Sequence, residues 1–339
     1  MKKALILFFP LIAFGAQAQV IPVGFIKKKN TIPPTLGSTS TYFSLGLVDA
    51  TISGNITSAG GSSITVSGIC YSATNTIPTI TDNVTTNGST SIGLFKSLIS
   101  GLTSNTTYYA RAYATNSDGT SYGNTVIFST YGTVVTKTGK TWLDRNLGAS
   151  RIAQSTTDAS SYGDYFEWGR PADGHEKMQI SGTSSDFTSV RSSTSVPSDS
   201  KYIKSTDGSN DWLATPDNTL WTGANPTNNP CPAGFRLPTE GEFLAEAAKF
   251  TAQNASGSFE SIYGLRLPLS GVSKSSINSP NQWQIAPGNF GQYLTQTAYT
   301  IFSGKPNGAV LYFGVTNSSV WTDKNYTKIH GQSVRCIQN

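Results

Sequence analysis

The chain has 339 residues, only 13% of them charged, and a formal net charge of +5 at neutral pH. That length exceeds what one core usually fills and predicts two domains, while so small and scattered a positive balance argues against a nucleic-acid binder, which clusters basic residues on one face. After the first residues no run approaches 18 consecutive apolar side chains, so no transmembrane anchor is predicted.

The first 18 residues, MKKALILFFPLIAFGAQA, combine Lys2 and Lys3, an apolar run and a small-x-small ending at Ala16 and Ala18. This is the three-part pattern of a cleaved secretory signal, with an apolar run too short to span a membrane. Cleavage after Ala18 removes two positive charges, taking +5 to +3, and predicts a location outside the cytoplasm: periplasm, cell surface or medium. Residues 19–39, with the Lys27-Lys28-Lys29 cluster, read as a linker. In an oxidising compartment the three cysteines should give one pair and one thiol. Cys231 and Cys336 fall in the same C-terminal domain and are the predicted bridge; Cys70, in the strand-like TVSGICYS, is the predicted buried thiol. Their spacing offers no zinc site.

Residues 40–131 read as short strands separated by turns. In TTYYARAYATNSDGTSYGNTVIFST, Tyr109, Arg111 and Tyr113 fall on one face and Tyr108, Ala110, Ala112 and Ala114 on the other, with Asn116-Ser117-Asp118-Gly119 turning the chain. Repeated short strands at this spacing predict an all-β sandwich. On Leu102, Thr107, Tyr109, Arg111, Ala112, Tyr113, Ala114, Asn116, Gly119 and Tyr122-Gly123, the segment resembles the fibronectin type III-like modules of secreted Bacteroidetes proteins. Such modules serve as spacers or interaction surfaces.

From Gly132 the grammar changes. A hairpin turning at Thr138-Gly139 leads into WLDRN, and aromatic residues then recur between turns rather than at helical spacing: Tyr162, Trp168, Trp212, Trp221, Trp283 and Trp321. Residues 181–200 are Ser-rich and read as a surface loop. Thr239 followed by Glu242 forms a capping-box signature, and Phe243, Leu244, Ala247, Ala248 and Phe250 supply an apolar stripe, predicting a helix over 240–251. GLRLPLSG then reads as an extended core strand.

The segments GKTWLDRNLGAS, SYGDYFEWGRPADGH, NDWLATPDNTLWTG, NNPCPAGFRLPTEGEF, LRLPLSG and GQSVRCI follow one another from residue 139 to 337. In that order they resemble the Fibrobacter succinogenes major paralogous domain. The resemblance implies an α+β, C-type-lectin-like domain with long irregular loops over 132–339, distantly related to formylglycine-generating, sulfatase-modifying enzymes. One departure is clear: a GxYWSS-type segment of the family is replaced by Gly291-Gln292-Tyr293-Leu294-Thr295-Gln296, which loses an aromatic from a pocket or from a packing contact.

Chemistry is sparse. Formylglycine formation needs reactive thiols, and a Cys231–Cys336 bridge leaves this domain none. His175 and His330 belong to no metalloprotease or nucleophile-elbow motif. Asp158, Asp164, Glu167, Asp173 and Glu176 could converge as the paired acids of a hydrolase. Calcium is a candidate ligand, held by Asp211, Asp217 and Asn218 or by Asp323 and Asn325, although neither set follows an EF-hand pattern. The favoured expectation is a non-catalytic adhesion protein that binds a glycan or a surface protein. Trp212 and Trp221 would be its stacking faces and Asp211 and Asn218 their polar partners. A structural subunit that self-assembles is the alternative, and an extracellular hydrolase a weaker one. Solvent-facing tryptophans would favour the binder, an apolar edge the assembly.

Overall fold

The computed structural model describes residues 31–40, 44–177, 187–203, 209, 211–252, 254–259, 264–272, 274–276, 279–284, 287–300, 306–314 and 321–339. The predicted leader and Lys27–Lys29 lie outside the described residues. Residues 32–339 form one compact unit, and no helix among the described residues is long and apolar enough to cross a membrane.

Strands β1 (Thr35–Leu36), β2 (Ser44–Leu45), β3 (Asp49–Ser58), β4 (Val66–Ser72), β5 (Asn83–Val84), β6 (Gly93–Ser100), β7 (Thr107–Asn116), β8 (Gly119–Tyr122) and β9 (Val126–Ser129) make two antiparallel sheets. In the first, β3 pairs with β1, β2 and β6. In the second, β4 joins β5 to β7, and β7 carries β8 and β9. The period-two pattern delivers Ala110, Ala112 and Ala114 of β7 into a core with Ile52, Ile56, Ile69, Phe95 and Phe128. Tyr108 stacks on Phe128 at 5.6 Å and its Oη accepts from Thr103 N at 3.0 Å, a tyrosine-corner bond. Asn116 Oδ1 accepts from the amides of Asp118 and Gly119 and closes the predicted turn. Cys70 is a buried free thiol, pushed up to about 11 by burial.

The predicted linker ends earlier than residue 39. Thr35–Leu36 pairs with β3, and Thr39 Oγ1 accepts from Ala112 N across the sandwich. Pro33 and Pro34 cannot donate to a ladder, which confines this segment to a sheet edge without keeping it off the sheet.

The rest of the chain is mostly β-strand and irregular loop. Its strands are β10 (Thr133–Val135), β11 (Thr141–Leu143), β12 (Phe187–Thr188), β13 (Tyr202–Ile203), β14 (Phe235–Arg236), β15 (Lys274–Ser276), β16 (Ser279–Gln284), β17 (Phe290–Thr300), β18 (Pro306–Gly314), β19 (Trp321–Thr327) and β20 (Ile337–Gln338). One sheet runs β10-β11-β20-β14, so the first and last strands of this region lie close together, and another runs β17-β18-β19. Cys231 and Cys336 form the predicted disulfide. Of the loop predicted over 181–200, residues 181–186 lie outside the described residues, and Phe187–Thr188 forms β12, paired in parallel with β13 just beyond the predicted loop. LRLPLS is largely buried, as expected of a core segment, but is not a strand: Pro268 has no donor, Arg266 has φ 45°, and Leu269 N donates to the loop carbonyl of Thr156.

Helix α1 (Glu240–Ala247) begins where predicted. Thr239 Oγ1 accepts from Glu242 N, and Glu242 accepts from Thr239 N, completing a capping box. Instead of continuing to residue 251, the helix closes in tight turns, Lys249 N bonding Glu246 O and Phe250 N bonding Ala247 O. Phe243 packs against Trp142 and Tyr293. Burial alone would raise the Glu242 carboxyl, but hydrogen bonds from Arg236 and Thr239 outweigh it and hold it at about 2. With an unfolded value of about 4.3, its stabilisation is complete above that pH and disappears as pH falls towards 2. Glu242→Gln should therefore cost about 1–2 kcal/mol at neutral pH. It should also flatten the acid limb of a plot of urea midpoint against pH; an unchanged limb would rule out this role.

Candidate functional site

The sandwich and the C-terminal region meet at Tyr131 and Gly132. Tyr131 N donates to Gly46 O, while Tyr131 Oη accepts from Gly148 N at 2.8 Å. Asp144 accepts from Gly132 N at 3.1 Å and holds Arg145 by two bonds of 2.8 and 2.9 Å; Arg145 reaches back to Asn105 Oδ1 and Thr130 O. A Cβ on Gly132 would lie 2.6 Å from Asp144 Oδ2, so glycine permits this approach. WLDRN is thus the segment that fixes the two halves together.

Beside this junction lies a cleft of about 380 Å³. Its walls include Leu45, Tyr131, Leu147, Phe166, Pro171 and Pro230, and its polar lining includes Asp49, Asp164, Glu176 and Lys177. Lys177 Nζ donates to Asp164 Oδ2 at 2.9 Å. Burial raises the Asp164 carboxyl against the pull of Lys177. The positive φ of Gly148 (76°) lets that carboxylate sit where a Cβ would otherwise be, 2.1 Å away.

Behind the cleft is a buried charge network built from EWGRPADGH. Arg170 donates to Glu167 Oε2 at 2.5 Å, to Asp173 Oδ2 at 2.7 Å, and to the carbonyls of Asp199 and Lys201. Glu167 Oε1 accepts from Ile203 N and so anchors β13. His175 Nδ1 donates to Asp173 Oδ1 at 2.7 Å, and its Nε2 accepts from Glu167 N at 3.2 Å. Burial lowers the His175 pKa, which keeps the ring neutral in this tautomer. Asp173, His175 and Glu176 lie close enough to suggest a metal centre. Both ring nitrogens of the histidine are already committed, so the set does not fit one. His330 sits apart, half-buried at the end of the turn after β19.

The acids proposed for hydrolysis divide in the same way. Asp158 pairs with Arg151 and caps a short turn, and Glu167 and Asp173 serve Arg170. Only Asp164 and Glu176 of the five face the cleft. Asp49, which joins them, comes from the sandwich and carries no motif of its own.

The predicted stacking site is overturned. Trp212 and Trp221 are both 0% exposed. Trp212 Nε1 donates to Trp168 O and Trp221 Nε1 to Asn228 O, while Trp168 and Trp221 pack at 5.6 Å. An indole with its N–H satisfied by backbone and its faces covered offers no platform to a sugar. Asp211 and Asn218 do converge, but on the buried Lys328, with Nζ 3.3 Å from Asp211 Oδ2 and 2.7 Å from Asn218 Oδ1. The first proposed calcium set does not fit that ion, because the protein's own ammonium occupies its place and Asp217 Oδ1 accepts from Thr219. The side chains of Asp323 and Asn325 lie outside the described residues. Leu294, at the position where the predicted resemblance departs, is buried in the core and so lines no pocket open to solvent. Lys328 had no sequence signal: a single lysine before Ile329 looks like any surface lysine.

No family model and no curated protein matches the chain. Among solved structures, the sensor domain of the anti-sigma factor RsgI4 from Pseudobacteroides cellulosolvens is similar at 17% identity, covering 29% of this chain and 94% of that one with a TM-score of 0.23. A stretch of titin domains is similar at 19% identity, covering 28% of this chain and 31% of that one with a TM-score of 0.18. At these scores neither likeness carries an inference about this chain.

Proposed function

We propose that the chain is a secreted or cell-surface binding protein that holds a glycan in the cleft beside Tyr131. The observation that carries this reading is the convergence of Asp49, Asp164, Glu176 and Lys177, from separate parts of the chain, on one concave site with apolar walls. Carboxylates accept hydrogen bonds from sugar hydroxyls, and apolar walls receive the C–H faces of the ring. The sequence resemblance supports the same assignment: a fibronectin type III-like module presenting a C-type-lectin-like, major paralogous domain. The disulfide and the leader pattern support a place outside the cytoplasm.

The test is a screen of the mature chain against glycans and surface proteins, with and without calcium, beside Asp164→Asn and Lys177→Met. Glycan binding that each variant weakens about 10- to 100-fold is expected, the value of one charged hydrogen bond. Equal affinity in wild type and variants would remove the cleft as the site. A second reading, self-assembly, is favoured by β6, which pairs only with β3 among the described residues and carries Leu94 81% and Leu98 53% exposed. A chain that binds nothing in the screen but sediments as an oligomer would favour it.

A further inference from the structure

Lys328 is 1% exposed, an unusual place for a lysine. Its Nζ lies 2.7 Å from Asn218 Oδ1, 3.1 Å from Asp217 O and 3.3 Å from Asp211 Oδ2, with the Trp168 ring 4.2 Å away on the remaining side. Asp211 is itself 2% exposed and also receives Leu213 N, so its position is fixed independently of the lysine. The chain therefore holds an ammonium, a carboxamide and a carboxylate in contact, in a buried site covered by an indole.

We propose that Lys328 and Asn218 become joined by an intramolecular isopeptide bond, with Asp211 as the proton-transfer group. Low dielectric favours neutral forms, and burial acts on this pair in that direction, lowering the pKa of the Lys328 amine and raising that of the Asp211 carboxyl. Asp211 takes one proton from the ammonium, and the neutral Nζ attacks Cγ of Asn218, forming the N–C bond as the carbonyl π pair moves to Oδ1. Asp211 relays a proton from the attacking nitrogen to the departing amide nitrogen, the Cγ–Nδ2 bond breaks and the carbonyl re-forms. Ammonia leaves with the remaining proton as ammonium, and Asp211 is again a carboxylate. No oxidant or cofactor is consumed; proximity and exclusion of water supply the acceleration. The bond would tie the segment after β19 to the 211–221 loop, and it stands independently of what the cleft binds.

Mass spectrometry of the full secreted chain tests this. After reduction, the protein should be lighter than its sequence by one ammonia. An N-terminal Gln19 can lose ammonia by itself, so the decisive readout is a branched tryptic peptide in which uncleaved Lys328 joins the peptide containing Asn218. Asn218→Ala and Lys328→Arg should abolish the branch, Asp211→Asn should leave most chains unlinked, and Asn218→Asp should restore the same product by losing water. Finding Lys328 cleaved by trypsin and Asn218 in a linear peptide in the wild-type protein overturns the proposal, whether or not any variant folds.

Discussion

Arg170→Met should destabilise the protein by about 3–5 kcal/mol, because it strips a cation from two buried carboxylates and leaves them unpaired. Glu167 is 0% exposed and Asp173 10%, and the same guanidinium also binds the carbonyls of Asp199 and Lys201. Urea unfolding measures the loss. Amide exchange should show it spreading to residues 199–203, since Ile203 N depends on Glu167. Adding Glu167→Gln to Arg170→Met should cost less than the sum of the two single changes, as expected for one coupled network. A loss below about 1 kcal/mol for Arg170→Met would mean that solvent reaches the network.

Replacing Cys231 and Cys336 together by alanine should cost about 3–5 kcal/mol, the second large effect. The bridge closes a sequence separation of 105 residues, so its removal returns substantial loop entropy to the unfolded chain. Cys336 is 0% and Cys231 8% exposed, and both sit in the core with Phe235 and Trp221, so packing is lost as well. Denaturation should show that reduction of the wild type removes the cross-link alone and that the double variant is less stable still by the lost packing. Stability within about 1 kcal/mol of the oxidised protein would show that the β11–β20–β14 pairing holds the region without it.

What the sequence made legible were features whose cause is local. The alternation of β7, the Asn116 turn and the Thr239–Glu242 capping box each follow from residues within a few positions of one another. The bridge was also readable, because three cysteines leave few choices. Long-range consequences were not legible. Trp212 and Trp221 lie between turns with no periodicity to say which face is covered, and their burial is decided by Trp168 and Asn228. Asp211 and Asn218 meet neither a ligand nor calcium but a lysine more than 100 residues away. The cleft draws Asp49 from the sandwich and Glu176 from a short turn of the C-terminal region, and nothing in either stretch announces the other.

The pairing of Trp142 with Ile337 has a mechanical consequence. The C-terminal region leaves the sandwich at Gly132 and returns, after all its loops, to the neighbouring strand. Tension applied between the sandwich and residue 338 would enter and leave through β11 and β20, antiparallel neighbours. Because antiparallel neighbours pulled in this way are loaded from one end, the pairing would peel open rather than shear, and until it opened the loops around Glu176 and Asp211 would stay slack. The seam therefore carries the load, and the cleft lies off it.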